Sequence, residues 1–111
     1  MNPREFRSCI EACFRCAQEC ERCTEACEHK SEWADSSECV EIHADCSQFC
    51  RTAAGFMERG SRFSAEICRI SAEICDACVE HGDQHGHVPP CVRACRECAD
   101  ECRRMLAIQT L

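Results

Sequence analysis

At 111 residues with sixteen cysteines and a net charge of −7, the chain is long enough for one core and too short for two, so residues 1–111 read as a single domain. Acids outnumber bases and the arginines are scattered among them, which argues against a phosphate-binding face and a nucleic-acid partner. No stretch approaches the roughly 18 consecutive apolar residues of a membrane span, so no membrane association is expected.

Strand signals are nearly absent, because no run alternates apolar and polar residues or is rich in Val, Ile and Thr. The chain therefore reads as all-α. The first helix is predicted over 3–29, with Asn2 as N-cap, Pro3 at the first helical position and Glu5 at the capping-box position. Along it run Cys9, Cys13, Cys16, Cys20, Cys23 and Cys27, every gap being three or four residues. At roughly 100° per residue these fall within an arc of about 80°, a stripe of sulfur about 27 Å long. The stripe occupies a and d positions, where bundle helices normally place leucine or isoleucine. No apolar leader precedes this helix, so a cytoplasmic location is expected.

The second helix is predicted over 35–59, with Asp35 as N-cap and Glu38 three residues on. Its stripe is Cys39, His43, Cys46, Cys50, Ala53 and Met57, with a histidine replacing one cysteine. Gly55, inside this helix, implies close packing if it implies anything. Gly60 is placed as the C′ residue, and Ser61 or Ser64 caps a third helix over 62–81 that stops at Gly82.

The third stripe is Ser64, Cys68, Ser71, Cys75 and Cys78, the serines reading as gaps in the metal-binding lining, and Ile67, Ile70 and Ile74 lie on another face. A segment of glycine and polar residues carrying His85 and His87 then reads as non-helical. Pro89 or Pro90 opens the fourth helix, 89–107, whose stripe is Cys91, Cys95, Cys98, Cys102 and Met105.

Four such stripes predict an up-down-up-down antiparallel four-helix bundle with a cysteine-lined core. Alternating direction collects His29, His81, His85 and His87 at one mouth. Each end histidine reads as solvated, with metal entry the functional role for His85 and His87. Phe6, Phe56, Met57, Phe63, Met105, Leu106 and Ile108 are expected to plug the other end.

Disulfides along a stripe are disfavoured, because Cβ atoms at i and i+4 are about 5–6 Å apart and a disulfide needs about 3.5–4.5 Å. Thiolates are soft ligands that select Cu(I), Zn(II) or iron–sulfur clusters. Four unshared thiolates on zinc leave a buried charge of 2−, whereas one Cu(I) per thiolate leaves the core near neutral. Linear Cu(I) needs sulfurs about 4.5 Å apart, so each CxxxC step is a candidate two-coordinate site, and shared sulfurs imply multinuclear clusters. The expected capacity is about half to one Cu(I) per cysteine.

His43 is a candidate ligand, and Met105 either a thioether ligand or core filler. The competing reading is a disulfide-bonded helical-hairpin structural or thiol-redox protein, although the CxxC pairs lack a thioredoxin-like βαβ context. A zinc- or cadmium-sequestering protein is a further alternative. No catalytic constellation emerges, and the chain reads as no enzyme.

These residues resemble the copper storage proteins, in particular their cytosolic branch, over nearly the whole chain. The likeness rests on four helices, repeated CxxxC and CxxCxxxC spacings and a histidine-bearing loop before the last helix. It implies a homotetramer that stores many Cu(I) ions, buffering toxic copper or holding it for cuproenzymes, loaded through the histidine mouth with a copper chaperone as candidate partner. It also implies that Cys9, Cys13, Cys16, Cys20, Cys23, Cys27, Cys39, Cys46, Cys50, Cys68, Cys75, Cys78, Cys91, Cys95, Cys98 and Cys102 are inward ligands, with His43 as auxiliary ligand. The serines of the third helix depart from an all-cysteine lining and imply a lower capacity there.

Overall fold

The computed structural model describes residues 3–29, 36–85 and 89–109. A 3-10 turn at Pro3–Phe6 leads into α1 (Arg7–His29), followed by α2 (Ser36–Glu58), α3 (Ser64–His85) and α4 (Pro89–Gln109). Among the described residues there is no strand, and the expected N-caps Asn2 and Asp35 lie outside them. α1 and α3 each pack on both α2 and α4, giving a bundle of 46 × 20 × 18 Å. Pairing is antiparallel: Cys9 meets Cys102, Cys13 meets Cys98 and Cys20 meets Cys91, one index rising as the other falls.

The α2–α3 corner follows from its sequence. Gly60 has φ 66°, the left-handed region open to glycine. Its N–H donates to the Met57 carbonyl and that of Ser61 to the Phe56 carbonyl, both at 3.0 Å, the paired bonds of a Schellman stop. Ser61 then caps α3, its hydroxyl accepting from the Phe63 N–H at 3.0 Å.

Two expectations need correction. α3 does not stop at His81 but continues through Gly82 to His85. Helical glycine costs only about 1 kcal/mol, and Gly82 is itself buried, so packing overrides propensity there. Gly55 is not a close-packing site: a Cβ there would meet only the tip of Arg59, Nη1 at 3.5 Å.

The core holds cysteine and alanine where most bundles hold leucine. All fourteen cysteines with described side chains are buried, with Ala12, Ala17, Ala53, Ala54, Ala72, Ala94 and Ala99 between them. Small side chains bring the helix backbones close, which is what lets sulfurs from opposite walls touch. Phe6, Met57 and Met105 are fully buried and fill one end, but Phe63 is 50% exposed and Ile108 41% exposed, so these two do not join the plug. Cross-helix ion pairs such as Arg15–Glu97 at 3.0 Å and Arg51–Glu21 at 2.7 Å are about half exposed. Each contributes at most about 1 kcal/mol, so the sulfur core carries the fold.

Candidate metal centre

Each helix offers one inward residue per level, and the levels stack along the bundle axis. At the centre, Cys16 Sγ lies 3.6 Å from Cys46, 3.8 Å from Cys75 and 3.6 Å from Cys95. Cys46 and Cys75 are 3.8 Å apart, Cys50 and Cys75 3.7 Å, and Cys20 and Cys95 3.6 Å. Two four-sulfur groups result, Cys16/Cys46/Cys50/Cys75 and Cys16/Cys20/Cys46/Cys95, each with every sulfur within 4.8 Å of the others. Cys16 and Cys46 belong to both.

The next level joins Cys13 to Cys98 at 3.6 Å and Cys98 to Cys50 at 3.8 Å, and its α3 member is Ser71, whose hydroxyl is 3.7 Å from Cys50. Beyond it lie Cys9 and Cys102 at 3.7 Å, grouped with Cys13, and Cys68, which approaches the thioether of Met57 at 3.5 Å. At the opposite end, His43 Nδ1 sits 3.7 Å from Cys78 and 3.6 Å from Cys91. It forms one group with Cys20 and Cys78 and another with Cys23 and Cys91.

The structure therefore brings together fourteen of the sixteen candidate cysteines and His43. The side chains of Cys27, Cys39, His29 and His85 lie outside those described, as does all of His87. The residue that sequence reasoning underweighted is His81. It is buried rather than solvated, at 6% exposure, and its ring meets that of His43 edge-on with centroids 6.2 Å apart. A signal existed, since His81 continues the stripe three residues after Cys78. Taking Gly82 as a stop hid it.

The sulfur spacings bear on how ions can be shared. Among the described residues the sulfur pairs at 3.6–3.8 Å bridge different helices, while within single helices Cys46 and Cys50 stand 4.0 Å apart and the pairs Cys9–Cys13 and Cys16–Cys20 lie within 4.8 Å. With metal–sulfur bonds of about 2.3 Å, three sulfurs around an ion stand about 4 Å apart and two in line about 4.6 Å. The contacts between helices suit shared, three-sulfur coordination, and the steps Cys9–Cys13 and Cys16–Cys20 have the spacing of a two-coordinate site within one helix.

No disulfide joins these cysteines, all fourteen being free. Their protonation is set by one another. Hydrogen bonding with Cys102 is the largest influence pushing Cys98 up, to about 11. Cys23 is likewise raised, by its bond with Cys91 and then by burial. Hydrogen bonds from Cys16 and Cys20 instead pull Cys46 down to about 7. Burial acts to lower the His43 pKa, but its bond to Cys23 and the charges of Cys23, Cys95 and Cys46 outweigh that and raise it. Most thiols here are protonated at neutral pH, so an entering soft cation must expel protons.

The chain matches the family model described as copper storage protein over residues 2–107. Among solved structures it is similar to the Cu(I)-bound copper storage protein BsCsp3, with 35% identity and a TM-score of 0.86 over 91% of this chain and 97% of that one. It is also similar to the copper storage protein Ccsp of Streptomyces lividans loaded with 10 copper equivalents, at 32% identity and TM-score 0.82 over 89% and 81% of the two chains. A cytosolic copper storage protein from Streptomyces lividans, with five coppers, matches at 31% identity and TM-score 0.84 over 95% and 94%. A search of curated proteins gave no match.

Proposed function

This chain belongs to the copper storage protein family, and from that premise we propose that it is a cytosolic store for many Cu(I) ions, held by the thiolates of the bundle core. The observation that carries the reading is the continuous contact of buried free thiols drawn from all four helices. Soft sulfur selects Cu(I), and one monovalent ion per thiolate keeps a water-excluded core near neutral. Each arriving ion replaces a thiol proton, which leaves to solvent, and passes onward by exchange between sulfurs already 3.6–3.8 Å apart. The ligands are the fourteen described cysteines, Cys27 and Cys39 on the same stripes, and His43. His85 and His87 serve entry, and His81, buried beside His43, stands next on that route.

The cytosolic assignment is supported by the description of the Streptomyces lividans relative. In this reading the protein is a store and no enzyme, it receives its ions from a thiol-bearing copper chaperone, and it assembles as a homotetramer. The groove of about 410 Å³ lined by Ile42, Asp45, Gln48, Phe49, Thr52, Ile74 and Ala77 is the face this reading assigns to that assembly.

Anaerobic Cu(I) titration with elemental analysis and a thiol count tests the reading. The expected result is about half to one copper per cysteine with all sixteen cysteines titrating as free thiols before loading. Binding of only one or two ions overturns it, as does loss of most thiols to disulfides. Zinc that survives stoichiometric Cu(I) points instead to a zinc store, for which the Cys16/Cys46/Cys50/Cys75 group has the required four sulfurs.

A further inference from the structure

Cys68 is separated from the other sulfurs of its own helix. The inward positions one turn away on either side of it are Ser64 and Ser71, both buried, and the next cysteine of α3, Cys75, is two turns off. Any soft partner for Cys68 must come from another helix. α2 presents one: its inward series runs Cys46, Cys50, Ala53, Met57, and the Met57 sulfur lies 3.5 Å from Cys68 Sγ. Both side chains are fully buried. Cys9 and Cys102, 3.7 Å apart, are the thiols of α1 and α4 at this end of the core.

We propose that Met57 and Cys68 form a mixed thioether–thiolate Cu(I) site that closes the sulfur core at the end away from His43, with Cys9 and Cys102 as its neighbours. The proposal rests on the copper-storage reading and adds a ligand type to it. α2 then supplies a non-thiol donor at each end of the core, an imidazole at His43 and a thioether at Met57. Thioether sulfur is a soft, uncharged donor. It adds a bond to Cu(I) without adding a negative charge where Phe6 and Met105 exclude water. One Cu(I) takes the place of the Cys68 thiol proton, and the Cu–thiolate–thioether unit is neutral.

The test is X-ray absorption on selenomethionine-labelled protein loaded to capacity with Cu(I). Wild type and Met105→Leu are expected to show a copper–selenium shell at bonding distance, and addition of Met57→Leu to Met105→Leu is expected to abolish it. Exchange of Met for Leu conserves volume, and Met57→Leu alone should lower capacity by about one ion while leaving the helical circular dichroism of the metal-free protein unchanged. Copper bound on sulfur with no copper–selenium shell in Met105→Leu, or with a shell that persists when Met57→Leu is added to Met105→Leu, overturns this site and leaves the storage reading intact. Failure to take up copper at all overturns both.

Discussion

Cys16 is the residue on which the core geometry can be tested most sharply. Its sulfur touches one partner on each of the other three helices and belongs to both four-sulfur groups, whereas Cys23 belongs to one group shared with His43 and Cys91. In Cys16→Ala each four-sulfur group keeps three sulfurs and loses one bridging position, so about two copper ions of roughly eight to sixteen should be lost; in Cys23→Ala the loss should be about one. Removing the buried sulfur from metal-free protein forfeits one methylene-sized contact and leaves a small cavity, about 1–2 kcal/mol. That corresponds to a fall in Tm of about 5–10 °C for a chain of this size. Anaerobic titration against a Cu(I) chelator reads the capacity, and circular dichroism of the apo form reads the stability. Equal losses in the two variants, or none in Cys16→Ala, would refute a core of shared clusters and favour independent sites along each helix.

Other outcomes follow from the same geometry. His43→Cys should keep the wild-type capacity, because a thiol there remains within reach of Cys78 and Cys91, whereas His43→Leu should bind about one ion fewer; identical capacities in titration would show that the imidazole is only packing. Gly55→Ala should stabilise the apo protein by about 0.5–1 kcal/mol, since the new methyl meets only a flexible arginine tip. A lower urea midpoint would contradict that. Of the thiols with a resolved shift, eight are raised and four lowered. A raised thiol holds its proton more tightly when folded, so its contribution is complete below the unfolded value and is lost as pH climbs through the folded one. The four lowered thiols give a contribution that is complete above the unfolded value, so they do not change in that range. Apo stability should therefore decline between about pH 9 and the folded value of about 11 at Cys98. Urea midpoints at pH 9 and pH 11 check this, and a midpoint that does not fall at pH 11 means the core is hydrated.

Spacing alone determined that the fourteen described cysteines face inward, because gaps of three and four residues can share a face only on a helix, and four such faces can bury one another only as a bundle. It also placed Gly60 correctly, since a left-handed stop admits little else. Local pattern had no means of saying which sulfur meets which. That depends on how the levels of four separate helices align, and alignment is fixed by alanines that let backbones approach and by the length of the α2–α3 corner. Hence the grouping of Cys16 with Cys46, Cys75 and Cys95, the meeting of Met57 with Cys68, and the burial of His81 beside His43 came only with the tertiary structure. The run of α3 through Gly82 has the same origin: a helix propensity deficit of about 1 kcal/mol is smaller than the packing available to a turn that lies against the bundle.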